Sequence, residues 1–375
     1  MDSEISARVL DLAAAIQQIP SPTFEESKRA GFVLSQFRAA GLEQVSIDDL
    51  GNVYGCLAGE GKSPAVILSA HLDTVFPSGT DLSLIRLPDR LCGPGIGDNA
   101  LGVAGLLGIV WSLQEKQHGA TADHGRLAGD LWVVATVGEE GLGNLRGMRA
   151  VVERFGADVS AYIGLEGMSL GQIYYRALGV QRYRIRVETA GGHSWVDFGQ
   201  PSAINEIAAL VTRLTSLRLP RRPRTTLNAG TISGGTSVNT IAARAEVELD
   251  LRSEDPATLQ TLASQVERLV QAANRPGVRM EMASIGNRPV GEISIRHPLV
   301  RIAQRCLAEQ GLQVHLGIGS TDTNIPLSKG IPAICVGLTQ GGGAHTREEY
   351  ILTEPLQRGL PAIANLVERV CNAAG

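Results

Sequence analysis

Short, nearly unbroken apolar runs alternate with helix-period segments along most of this 375-residue chain, and that alternation leaves few folds open. VYGCLAG at 53–59, AVILSAH at 65–71, DLWVVATVGEE at 130–140, AYIGLEG at 161–167 and AICVGLT at 333–339 are rich in Val, Ile, Leu and Ala. Runs of this kind suit strands covered on both faces, which are typically parallel. Segments with apolar residues at helical spacing separate them, at 3–18, 25–40, 102–116, 148–156 and 299–311, with a last one ending near Ala373. Pro20 and Pro22 stop the first, and Gly41 stops the second. The pattern predicts an α/β fold, a mainly parallel sheet with helices on both faces.

The rhythm changes near Gly179. QRYRIRVETA alternates with period two, and AINEIAALVTRLTSLR is helical. TTLNAGTISGG and AEVELDLRSE read as strands, PATLQTLASQVERLVQAAN as a helix and VRMEMASIG as a closing strand. The order β-α-β-β-α-β is that of the split βαβ unit. Residues 179–290 are therefore expected to form an inserted α+β, ferredoxin-like domain. It would divide a catalytic domain made of residues 1–178 and 291–375. The polar stretch QHGATADHGRLAG at 117–129 reads as a loop.

Composition narrows the function. Net charge is −4 with both signs interspersed, so no basic footprint for nucleic acid is present. No apolar run reaches the roughly 18 residues expected of a membrane span. The N-terminal segment carries acids early and follows a helical period, unlike a signal peptide. Cys56, Cys92, Cys306, Cys335 and Cys371 are odd in number and widely spaced, with no C-x-x-C pair. Reduced thiols in a cytoplasmic protein are expected.

Six acids and histidines stand in informative contexts. They are His71 in SAHLDTVF, Asp98 in GPGIGDNALGVA, Glu139 and Glu140 in TVGEEGLG, Glu166 in IGLEG and His345 in GGGAHTREEY. Singly, each has an ordinary structural explanation. Jointly, at the ends of predicted strands and in glycine-rich turns, they mark a site. Two imidazoles and three carboxylates suit a pair of divalent ions sharing one carboxylate, with Glu139 left over. Without metal, so many acids would repel one another and raise each other's pKa values. Asp73, two residues beyond His71, shares its strand face and is placed to hydrogen-bond its second ring nitrogen.

HLD, GDN, GEEGLG, LEG and AHT, in this order, resemble the motifs of the co-catalytic zinc peptidases. That family includes peptidase T, glutamate carboxypeptidase, succinyl-diaminopimelate desuccinylase and aminoacylase. The resemblance implies that Asp98 bridges two divalent ions, most often Zn, with Co or Mn as substitutes. It implies that His71 and Glu166 complete one shell, and that Glu140 and His345 complete the other. Glu139 would be the general base, Asp73 would orient His71, and the Asp98–Asn99 peptide would be cis. The inserted domain would be a lid that also forms a homodimer through residues 179–290. His193 in GGHSW would reach the partner's site to stabilise an oxyanion, and Asn239 in GGTSVNTI would contact substrate. Arg252 in DLRSE shares a strand face with Asp250 and is a candidate clamp for a substrate carboxylate. The plainer alternatives are that Asn239 caps a turn and that Arg252 only pairs with Asp250.

One motif departs from part of the family. Some deacylases carry Arg two residues after the Asp of GxTD, where GSTDTNIP has Asn324. This favours the peptidase T and glutamate carboxypeptidase branches. The expected activity is hydrolysis of an amide in a small peptide, by a metallo-exopeptidase. An N-acyl amino-acid amidohydrolase is the alternative enzyme, and a non-catalytic metal- or peptide-binding relative is the alternative from another class. His118, His124, His297 and His315 are assigned no role.

Overall fold

In the computed structural model, which describes residues 2–119 and 126–373, strand Ala65–His71 is buried at every position but the first. Strand Leu131–Thr136 is buried at every position. Burial on both sides of a pleat requires cover on both faces, which is what the unbroken apolar runs supply. Each fully buried Val, Leu or Ile contributes about 1.5–3 kcal/mol.

Among the described residues, nine strands form the main sheet. Its centre runs Leu131–Thr136, Ala65–His71, Val159–Glu166 and Ala333–Gly337, each parallel to the next. Toward one edge, Val53–Leu57 and then Glu43–Ile47 pair antiparallel. Toward the other, Gln172–Ala177 pairs antiparallel with Ala333–Gly337 and parallel with His315–Gly319. The sheet is thus parallel in its buried middle and largely antiparallel at its more polar margins.

Helix Leu101–Gly119 packs against helices Asp2–Gln17 and Leu356–Asn372, while Ser27–Ala39 packs on the edge strands Glu43–Ile47 and Val53–Leu57. The segment Ile96–Gln117 is long and apolar enough to cross a membrane, but 89% of its apolar window is buried inside the fold. A helix apolar all round is what a core position demands. It runs on to Gly119, so Gln117 is helical rather than part of the expected loop. Residues 120–125, which include His124, and the side chain of His118 lie outside the described residues. All five cysteines are free, and only Cys92 is not buried.

The chain divides into two compact units, Met1–Ala177 with Gly291–Gly375, and Leu178–Val290. The second holds a four-stranded antiparallel sheet in the order Thr225–Gly234, Arg244–Ser253, Gly179–Thr189, Val278–Arg288. Along that unit these are its second, third, first and fourth long strands, the arrangement of a split βαβ fold. Helices Ala203–Thr215 and Pro256–Ala273 pack on the sheet. Strand Arg244–Ser253 alternates buried and less buried residues without a break, as one covered face requires. Val247, Leu249 and Leu251 join Ile207, Leu210 and Val266 in the core. The other face carries the pairs Arg182–Asp250, Arg184–Glu248 and Arg186–Glu246.

Candidate metal centre

Three neighbouring parallel strands end at one edge of the main sheet, and each delivers a side chain able to bind metal. His71 closes Ala65–His71, Glu166 closes Val159–Glu166, and Leu131–Thr136 runs on into Glu139 and Glu140. Open α/β sheets keep their ligands at this edge. Asp98 enters from the glycine-rich turn that precedes helix Leu101–Gly119, in which Gly95 takes a left-handed φ of 72°. The Asp98–Asn99 peptide is cis, as the family resemblance implied. His345 follows the glycine run and is half-exposed.

Asp98 presents one oxygen to each histidine. Its Oδ1 lies 3.1 Å from His71 Nε2, and its Oδ2 lies 3.1 Å from His345 Nε2. Glu166 Oε2 is 3.7 Å from His71 Nε2, and Glu140 Oε1 is 3.1 Å from His345 Nε2. Two groups therefore share Asp98: one with His71 and Glu166, the other with Glu140 and His345. Glu139, buried like Glu140, belongs to neither, although it also stands within reach of His71 and Glu140.

Asp73 meets His71 with its backbone carbonyl as well as its carboxylate. His71 Nδ1 lies 3.0 Å from the Asp73 backbone carbonyl and 3.6 Å from its carboxylate. An Nδ1–H donating to that carbonyl leaves the Nε2 lone pair facing Asp98 and Glu166. The Asp73 carboxylate also accepts the amides of Glu139 at 3.0 Å and Glu140 at 2.9 Å, and the Thr23 hydroxyl at 2.8 Å. This explains how consecutive glutamates reach one site: the strand has ended at Thr136, and a fully buried carboxylate holds both amides.

Burial opposes charge on Asp73, Asp98 and Glu166, and the histidines offset it. Burial works to raise Asp98, but His345 and His71 outweigh it and hold the carboxyl well below the usual range. His345, hydrogen-bonded to Asp98 and Glu140, is pushed up to about 10. Burial pulls His71 down, but its bonds to Asp73, Asp98 and Glu166 carry it well above the ordinary value. Burial pushes Glu166 up to about 7, with His71 pulling the other way. A cluster that raises both its histidines is one that stabilises positive charge. Divalent ions held by His71, Asp98, Glu140, Glu166 and His345 would supply that charge to neutral Nε2 lone pairs in place of protons. Imidazole nitrogens with carboxylate oxygens, one carboxylate offering an oxygen to each side, form a donor set that fits two such ions.

Sequence reasoning missed the residues that hold the Asp98 turn. Glu349, fully buried, accepts the amides of Gly97 at 2.7 Å and Asp98 at 2.8 Å on Oε1, and that of Gly95 at 3.1 Å on Oε2. Burial pushes its carboxyl up to about 7, with the three amides opposing. It lies within the quoted GGGAHTREEY, but one Glu of a Glu-Glu pair reads as solvated. Asn99 ties the same turn to the Glu166 strand, donating to the Leu165 carbonyl at 2.9 Å and accepting the Gly167 amide at 2.9 Å. Gly167 has no room for a side chain, because a Cβ there would collide with the Gly97 carbonyl oxygen.

The remaining candidates lie in the second unit. His193 pairs with Thr240 in a two-residue ladder, and its Nδ1 accepts the amides of Trp195 at 3.2 Å and Val196 at 3.4 Å. That leaves Nε2–H as a donor on an exposed ring. Asn239 stands beside the same ladder, its carbonyl taking the Ser194 amide at 3.1 Å and its Oδ1 the Ser237 hydroxyl at 2.7 Å. Arg252 is at the far end of its strand, with Nε donating to Asp250 at 2.6 Å. This ion pair is the plainer of the two expectations for Arg252. In the first unit, Asn324 is buried, and its Oδ1 accepts the Thr321 amide at 2.9 Å. His297 caps helix Pro298–Glu309, and His315 opens an edge strand.

Comparison with known proteins accords with this geometry. The chain is 28% identical to a putative succinyl-diaminopimelate desuccinylase of Mycobacterium tuberculosis, over 91% of this chain and 93% of that protein. Its fold is similar to that of a tripeptidase of Staphylococcus aureus, with a TM-score of 0.80 at 22% identity, over 98% of this chain and 99% of that one. It is also similar to the YXEP protein of Bacillus subtilis, a dinuclear metal binding peptidase from the M20 family. There the TM-score is 0.70 at 17% identity, over 98% of this chain and 99% of that one. Residues 67–369 match peptidase family M20/M25/M40, a span that takes in every residue of the acid and histidine cluster. The chain belongs to that family, whose members are hydrolases of amide bonds.

Proposed function

We propose that this chain is a metallo-exopeptidase that hydrolyses an amide bond in small peptides, with two divalent ions and Glu139 as general base. The observation that carries this reading is Asp98, with one oxygen 3.1 Å from each of two histidines and a second carboxylate beside each. Held by these two groups, the ions would polarise the scissile carbonyl and bring the pKa of a water toward about 7. Zn suits the donor set, and Co or Mn would substitute.

Glu139 takes the proton of the attacking water and passes it to the leaving amine. Asp73 fixes the backbone from which Glu139 projects, and its carbonyl orients His71. His193 donates its Nε2–H to the oxyanion in the site of a second copy, within a homodimer built on residues 179–290. Its neutral donor tautomer supports that role. So does the apolar surface around it, where Trp195, Val196, Phe198 and Val238 are all more than 70% exposed. Apolar surface of that kind marks a contact site. Asn239, beside the same ladder, would bind a polar group of the substrate.

A second reading, an N-acyl amino-acid amidohydrolase, is supported by the likeness to the desuccinylase. Asn324, buried and committed to Thr321 where some deacylases carry arginine, favours the peptidase. Metal analysis together with a hydrolysis panel of tripeptides, N-acyl amino acids and α- or γ-linked glutamyl amides separates them. The expected result is about two ions per chain and fastest turnover on tripeptides. Faster release of an acyl group would establish the deacylase. Full metal content with no turnover on any member would leave a binding protein.

A further inference from the structure

The loop before helix Ser27–Ala39 holds a large aromatic residue in a backbone conformation that such residues avoid. Phe24 has a φ of 80°, and it is 60% exposed. At positive φ the Cβ crowds the backbone, so a bulky residue there is an outlier, whereas glycine takes the geometry freely. Core packing does not account for a ring this exposed. Its orientation is nonetheless built. The Arg146 guanidinium carbon lies 4.6 Å from the ring centroid, and Arg146 Nη2 is 2.8 Å from both carboxylate oxygens of buried Glu26. An exposed aromatic, held at a backbone cost and braced from beneath by a cation, points to a function for the ring itself.

The ring stands next to the chemistry. Thr23, its chain neighbour, donates to the Asp73 carboxylate that receives the amides of Glu139 and Glu140. The stem of Arg146 lies on Gly138, the residue before Glu139, where an added Cβ would fall 2.8 Å from Arg146 Cγ. Pro22 pairs with Thr74, which joins the Phe24 loop to the segment beyond Asp73. Two more exposed apolar side chains leave this knot of backbone: Val75 after Thr74, and Leu142 after Gly141.

We propose that Phe24 is a specificity-determining residue, and that its ring, with Val75 and Leu142, forms the apolar seat for a substrate side chain flanking the scissile amide. The proposal rests on the peptidase reading and adds a substrate class to it: peptides with a Leu- or Phe-like residue beside the cleaved bond.

Phe24→Gly tests it with little risk to folding, because glycine relieves the backbone at this φ. Its thermal midpoint is expected to be no lower than that of the parent. Phe24→Leu returns apolar surface to the seat. The measurement is kcat and KM on matched tripeptide pairs that differ only by Leu or Gly, placed on either side of the scissile bond. The parent prefers Leu in one of the two positions. In Phe24→Gly that preference falls about tenfold, through KM, and Phe24→Leu restores most of it. An unchanged Leu-to-Gly ratio, or an equal loss on both peptides, would overturn the seat. If the parent hydrolyses neither pair, the peptidase reading fails by itself. Calorimetric binding of the same peptides to metal-loaded parent and Phe24→Gly then decides the seat. A Leu preference weakened in the variant upholds it, and equal affinities overturn it.

Discussion

Asp73 is fully buried, with three donors on its carboxylate, whereas His193 stands exposed on a two-residue ladder, its ring held by two amides of its own loop. The side chains that hold the acid and histidine cluster in place follow the first pattern. Glu349, Asp73 and Asn99 are buried side chains that satisfy backbone amides and thereby set where the outer acids point. Burying so many charges is costly unless donors and opposite charges surround them. The His193 ladder follows the opposite pattern, presenting an outward ring N–H amid exposed apolar side chains. The first arrangement is complete within one chain. In the proposed function, the second acts on the surface of a second copy.

Two substitutions press on that contrast. Glu139→Gln removes the proton acceptor while keeping size and burial. Turnover should fall by about 10²–10⁴-fold, with metal content unchanged by elemental analysis. Loss of metal in this variant would make Glu139 a ligand and undo its separation from the two groups that share Asp98. His193→Ala should lower kcat by about 10²–10³-fold, the effect of losing one oxyanion donor, and leave metal content and thermal midpoint unchanged. Mixing it with Glu139→Gln chains should recover activity, because one hybrid site receives a base from one chain and a histidine from the other. No recovery would show that His193 serves its own chain or none, and the ladder would lose its distinction from the cluster.

Much of this architecture was legible in the sequence for a physical reason. Strands covered on both faces must be apolar throughout, so Ala65–His71 and Leu131–Thr136 stand out as unbroken runs. Glu43–Ile47, at one edge, and Gln172–Ala177, near the other, are only partly buried and mix polar residues, so no run marks them. The clustered acids and histidines were legible because each sits at a strand end or in a turn beside glycine. Glu349 and Thr23 were not, because a side chain that serves backbone amides or another carboxylate follows no spacing rule. Its partners are chosen by the fold rather than by neighbours in sequence. The Asp73 case is intermediate: its importance was visible two residues from His71, but which of its oxygens faces the ring depends on where the chain turns.

The smallest of the expected effects falls on the least visible residue. In Glu349→Gln, one carboxylate oxygen becomes an NH₂ group facing backbone N–H donors. Depending on its orientation, either Gly95 or the pair Gly97 and Asp98 loses its acceptor. A buried amide left without an acceptor costs about 1–3 kcal/mol, so the turn shifts and carries Asp98 with it. Because Asp98 faces both histidines, both ions should weaken together, by about 10–100-fold in affinity. Competition with a chromophoric chelator measures this, and the number of ions released in the weakened phase distinguishes a shared ligand from a private one. Loss of one ion only would mean that the turn affects a single side of Asp98. Unchanged affinity would mean that the backbone holds Asp98 without Glu349, and that the buried shell is no more demanding of its parts than the exposed ladder.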